Sequence, residues 1–170
     1  RYFPSLSTVL AGSTSNTWEV PPSIGRVLKF RVTARDYHSI AGCTDEENMT
    51  VTTVAGIGPF IITSQNTASN LTEGAPATIT WNVANTTNSP VNCASVNILL
   101  SYDGGLTYPV TLATGTANDG TETVTLPLGT STTARIMVRA ANNVFYDVNN
   151  ANITIIANPA PDLGPDKEVE

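Results

Sequence analysis

Charge is scarce in this chain: only 13% of its residues are Asp, Glu, Lys or Arg, and the net charge is −6. The eight cations are scattered or lie on strand-like segments, so no cluster meets a phosphate backbone, and nucleic acid is excluded as a partner. Histidine is nearly absent, with His38 alone, and the two cysteines form no Cys-x-x-Cys pair. A zinc site needs about four Cys, His or carboxylate ligands, so zinc is not expected. There is no apolar run near the roughly 20 residues that a helix needs to cross a bilayer, so membrane insertion is not expected. Nor does any window keep up a helical period. What remains points to an all-β protein.

The hydrophobic share is 41%, and Thr, Ser, Asn, Val and Ala dominate. Solubility rests on small hydroxyl and amide side chains, a profile common among secreted β-sandwich modules. The chain begins at Arg1 with no Met and no signal-peptide pattern, and it reads as a piece of something longer.

The first part predicts few strands. Ser5–Gly12 reads as a short helical turn or a loop ended by glycine, and Thr17–Val20 as a short strand stopped by Pro21-Pro22. In Val27–Ala34, Leu28, Phe30 and Val32 face one way and Lys29, Arg31 and Thr33 the other. A polar turn over Asp36–Glu47 leads to a returning strand, Asn48–Val54. So few strands make a marginal core, and residues 1–57 read as the later part of a sandwich module whose first strands lie upstream.

After the small, flexible Ala55–Pro59, residues 58–157 read as a complete module. Its expected strands are Phe60–Ser64, Ala77–Val83, Ser95–Ser101, Tyr108–Leu112, Thr121–Leu126, Ala134–Ala140 and Asn152–Ile156. Short alternating strands separated by turn signals match an immunoglobulin or fibronectin-III-like sandwich, with Trp81 as its large core aromatic. The fold expected is therefore tandem β-sandwich modules, the first incomplete at its N-terminus. Residues 158–170 carry prolines at 159, 161 and 165 and read as a linker toward a further module.

The stretch from Ser95 to Thr125 organises this second module. Val96, Ile98 and Leu100 alternate with Ser95, Asn97 and Leu99, and the Asp103-Gly104-Gly105 step then supplies a tight turn, because glycine accepts positive φ. Ser101, Asp103, Gly105, Thr107 and Tyr108 resemble the Asp-box of sialidases and related β-proteins. That resemblance implies a fastening: carboxylate and hydroxyls tie the turn, and the aromatic plugs its base.

A wider likeness follows from several strings: Gly58-Pro59-Phe60, Ile79-Thr80-Trp81-Asn82-Val83, Val91–Ser101, Asp103–Pro109, Asn118-Asp119-Gly120, Thr132–Val138 and Phe145–Val148. Together they resemble the C-terminal β-modules of secreted reprolysin-like zinc metalloproteases of Bacteroidetes-type bacteria. Upstream, Arg1–Pro4, Trp18–Pro22 and Phe30–Asp36 look like the end of the preceding module there. The resemblance implies a secreted or cell-surface, non-catalytic accessory or spacer region that positions a protease or contacts its substrate. Its partners would be other domains of the same polypeptide, and an extracellular protein or glycan. The protease motif His-Glu-x-x-His is absent from this chain, so catalysis does not carry over.

Acidic groups are the reactive material in quantity. Asp36, Asp103, Asp119 and Asp147 are each expected to cap a turn through the backbone; a calcium site of turn carboxylates is the alternative. No cofactor is otherwise expected. Cys43 and Cys93 read as separate thiols, with a disulfide between modules as the alternative. Tyr102, Phe145 and Tyr146 are the candidates for ligand contact, since one ring of Phe145-Tyr146 should point outward. The alternative function is an adhesin-type or carbohydrate-binding module using such a ring.

Overall fold

In a computed structural model of the chain, which describes residues 2–38 and 41–159, the alternating segments become strands of a nearly all-β protein. Most of the tail expected as a linker lies outside the described residues.

Two ten-residue strands, β1 (Arg26–Arg35) and β2 (Thr44–Thr53), pair antiparallel as a two-stranded sheet. β2 starts four residues before the expected Asn48. The acidic run Asp45-Glu46-Glu47 looked like turn, but Ala34, Thr33 and Val32 pair with it and hold it extended.

Residues 60–156 form the larger body. β3 (Ile61–Ile62), β5 (Pro76–Asn82) and β8 (Thr121–Thr125) make a three-stranded sheet in the order β3-β5-β8. The second sheet runs β4-β11-β9-β6-β7, built from β4 (Ser69–Thr72), β6 (Ser95–Ser101), β7 (Val110–Ala117), β9 (Ser131–Ala140) and β11 (Ile153–Ile156), with β10 (Tyr146–Val148) also on β9. β4 pairs parallel with β11; every other pairing is antiparallel.

Inward residues of both sheets make one core. β5 contributes Ala77, Ile79 and Trp81, β6 contributes Val96, Ile98 and Leu100, β9 contributes Ala134, Ile136 and Val138, and β11 contributes Ile153 and Ile155. Each fully buried Val, Leu or Ile contributes about 1.5–3 kcal/mol relative to exposure, as an upper estimate. Two short strands, β4 and β10, are not among those expected, and β7 differs from its expected span. β4 is Ser-Asn-Leu-Thr, too polar to alternate, and forms through its ladder with β11. β7 begins after Pro109 rather than at Tyr108 and runs on to Ala117.

The outer face of the larger sheet is also covered. α1 (Leu6–Leu10) carries Leu6, Val9 and Leu10 on one side, the i, i+3, i+4 spacing, and packs them on Leu99, Met137 and Val148. Gly12, at φ 72°, ends the helix and donates its N–H to the Val9 carbonyl at 2.8 Å. Although it precedes the hairpin in sequence, α1 thus packs on the body of residues 60–156. Thr17–Val20 is not the expected strand. The N–H groups of Trp18 and Glu19 both donate to Asn16 Oδ1 at 2.9 Å, which bends the backbone into a turn.

Candidate functional site

The turn after β6 is organised by two side chains. Asp103 Oδ1 accepts from Leu106 N at 3.0 Å, Thr107 N at 2.9 Å and Ser101 Oγ at 2.6 Å, and Oδ2 accepts from Thr107 Oγ1 at 2.6 Å. Ser101 Oγ in turn accepts from Gly105 N at 2.9 Å. These donors hold the Asp103 carboxyl far below the usual carboxylate range, the Ser101 and Thr107 hydroxyls contributing most. The turn is also tied sideways. Gly104 N donates to the Thr133 carbonyl at 2.9 Å, and the hydroxyls of Ser131 and Thr133 donate to the Tyr102 carbonyl at 3.0 Å.

Gly105, at φ 92°, is where the turn meets α1. A Cβ there would collide with Leu10 Cδ2 and stand 2.9 Å from Tyr108 Oη. Tyr108 packs with the α1 cluster beneath the turn, and burial pushes its phenol pKa up. Arg135 completes the clasp, donating from one guanidinium nitrogen to the Asn149 carbonyl at 2.6 Å and the Leu10 carbonyl at 3.4 Å, and from Nε to Asn152 Oδ1 at 2.7 Å. A cation at the last carbonyls of a helix favours its dipole.

Other carboxylates also hold backbone. Asp36 Oδ1 accepts from Cys43 N at 2.6 Å across the β1–β2 loop, and Asp119 Oδ1 accepts from Thr121 N at 3.2 Å. Asp147 is not in a turn. It sits in β10, where Oδ2 accepts from Ile62 N at 2.7 Å and so links the two sheets, and burial raises its pKa. Among the described residues no group of three or more His, Cys, Asp or Glu side chains is gathered as a metal would need.

Sequence reasoning missed three polar ties. Buried Asn118 accepts from Trp81 Nε1 at 2.9 Å and donates to Thr86 Oγ1 and the Cys93 carbonyl. Buried Asn149 accepts from Ile136 N at 2.8 Å and donates to the Gln65 and Ala151 carbonyls. Glu19, also buried, accepts from Ser5 N at 2.6 Å and anchors the chain ahead of α1. Nothing in the asparagine-rich sequence separates a buried Asn from its solvated neighbours. Only the short strands around each one would have hinted at it.

The three rings offered for ligand contact are all partly buried and packed. Tyr102 and Phe145 lie against the main core, Phe145 with its centroid 5.0 Å from that of Phe60. Tyr146 does point to the opposite face, but there it joins the α1 cluster and meets Tyr2 edge-on at 5.0 Å; burial pushes its pKa to about 12. The most exposed rings among the described residues are Tyr37, at 98% in the β1–β2 loop, and Trp18, 91% accessible at the tip of the Asn16 turn. The cysteines are both free, so the disulfide alternative does not form. Cys43 is exposed beside the hairpin loop, whereas Cys93 is buried, with its thiol donating to the Ser95 carbonyl at 3.3 Å.

No protein-family model matches the chain, and no curated protein matches it.

Proposed function

We propose that residues 58–157 are an immunoglobulin-like sandwich and that the chain is a non-catalytic accessory region of a secreted multidomain protein, one that positions a protease or contacts its substrate. The single observation carrying this reading is the use made of the polar side chains. Asp103, Asn118 and Asn149 each spend their acceptors on backbone or core groups, where a reactive centre would aim them at a cleft.

The strand pattern supports the immunoglobulin-like assignment. β3-β5-β8 corresponds to an A-B-E sheet, and β4-β11-β9-β6-β7 to A′-G-F-C-C′, with the first strand of the domain split between sheets. The β1–β2 hairpin would then belong to a neighbouring sandwich module. The resemblance to modules of reprolysin-like metalloproteases supplies the secreted setting and the protease.

The reading frame upstream of Arg1 tests this. A His-Glu-x-x-His-x-x-Gly-x-x-His motif there is the expected result; further sandwich repeats with no protease would overturn it. One feature favours the second reading, an adhesin-type or carbohydrate-binding module: Trp18 presents an exposed indole on the Asn16 turn. Glycan-array binding lost in Trp18→Ala would put that reading first.

A further inference from the structure

Half of the chain's cations sit on one strand. β1 carries Arg26, Lys29, Arg31 and Arg35, four of the eight Lys and Arg residues, while β2 carries Asp45, Glu46 and Glu47. Among the described residues each strand has one unpaired edge.

The register sorts the hairpin into two faces. Leu28 lies opposite Val51 and Phe30 opposite Met49, and with Val32 they make a largely apolar face, bordered by Arg26 at one end and by Glu47 and Asp45 at the other. Behind it, Lys29, Arg31 and Arg35 lie opposite Thr50, Asn48 and Thr44. The apolar face opens on a groove of about 1070 Å3, lined also by Phe3, Trp18 and Met137. It is only partly covered: Phe3 meets Phe30 at 5.5 Å, yet Val32 is 70% and Met49 51% exposed. A two-stranded hairpin is marginal in water without a covered apolar face. On the charged face Arg31 already pairs with Glu46 at 2.7 Å and bonds Asn48, while Lys29 and Arg35 have no ion pair among the described residues.

We propose that the free edge of β1 receives an extended strand whose side chains alternate apolar and acidic, a strand of the module to which the hairpin belongs. The inference rests on the reading of the hairpin as part of a neighbouring sandwich. Alternation places the apolar side chains beside Leu28, Phe30 and Val32, and the acidic ones beside Lys29, Arg31 and Arg35. Directly opposed charges of opposite sign stabilise a pair of strands, and like charges destabilise it. A second copy pairing β1 to β1 would set cation against cation, and β2 to β2 acid against acid. On the β2 edge Glu46 repels the acids of the incoming strand, and Asp45 and Glu47 stand on the side of its apolar residues.

The test uses the whole chain and a blocked peptide of alternating Val and Glu, ten residues long to match β1. Amide hydrogen exchange is followed residue by residue. At roughly 1 mM peptide the outward amides of β1 should slow by about tenfold. A Val/Lys peptide should do nothing, and the surface variant Lys29→Glu/Arg35→Glu should lose the response. Slowing on β2 instead would overturn the inference and leave the module reading standing. No slowing on either edge with any peptide would overturn both. An equal response to the Val/Lys peptide would remove the charge argument. Concentration-dependent self-association of the chain alone, protecting the hairpin, would give the edge to a second copy.

Discussion

Trp81 Nε1 donates to Asn118 Oδ1 at 2.9 Å inside the core, and both side chains are buried. The bond fixes the indole of β5 against the turn that precedes β8. Asn118 then passes the constraint on to Thr86 and the Cys93 carbonyl.

Trp81→Phe keeps a ring in the core but leaves Asn118 Oδ1 unpaired, which costs about 1–3 kcal/mol. Trp81→Ala adds a cavity and should cost about 3–5 kcal/mol. Denaturant unfolding of the two variants and of Asn118→Ala measures both. If Trp81→Phe and Asn118→Ala add independently when combined, the two side chains are not coupled.

Gly105→Ala forces a side chain into positive φ and against Leu10 and Tyr108. The conformational part alone costs roughly 1–2 kcal/mol. The collision should also lift α1 off the sheet, so limited proteolysis ought to cut near residues 12–18 before it cuts the sandwich. Unchanged protection of that segment would mean that α1 does not depend on the turn.

The two thiols should separate by rate. Cys43 is exposed and Cys93 buried, so an alkylating reagent should modify Cys43 in the native protein and Cys93 only after unfolding. Native modification of both at one rate would contradict the burial of Cys93.

Asp147 pulls stability in the direction opposite to an ordinary paired carboxylate. Burial raises its pKa in the fold, so the folded chain binds a proton more readily than the unfolded one. Stability from this group therefore rises as pH falls from neutral toward about 4, the unfolded value. Asp147→Asn keeps an acceptor for Ile62 N without the charge. Its Tm should equal or exceed the wild-type value near neutral pH, with the wild type gaining on it during acidification. A Tm difference independent of pH would contradict this.

How much of this was visible in the sequence varied by element. Ser95–Ser101 appears over the expected span, because its apolar positions alternate and the Asp-Gly-Gly turn fixes its end. The burial of Leu99 and Met137 on the outer face was not legible, since a five-residue helix from far up the chain covers them. Asp103 and its hydroxyl partners could be read because they are local, within six residues. The Asp147–Ile62 bond spans 85 residues and leaves no local trace. Strand alternation puts Tyr146 on the face opposite Phe145, but nothing nearby in the sequence announces that Tyr2 packs on it.

Whether carboxylates here hold backbone is decided most directly at Asp103, by melting wild type and Asp103→Asn side by side between about pH 3 and about pH 8. The depressed carboxyl contributes stability that is complete above the unfolded value of about 4 and is lost as pH falls below it. The expected result is a lower Tm for Asp103→Asn at neutral pH and a gap that narrows as the solution is acidified below about pH 4. Coincident melts at neutral pH would show that the carboxylate fastens nothing, and a ligand role for it would then take precedence.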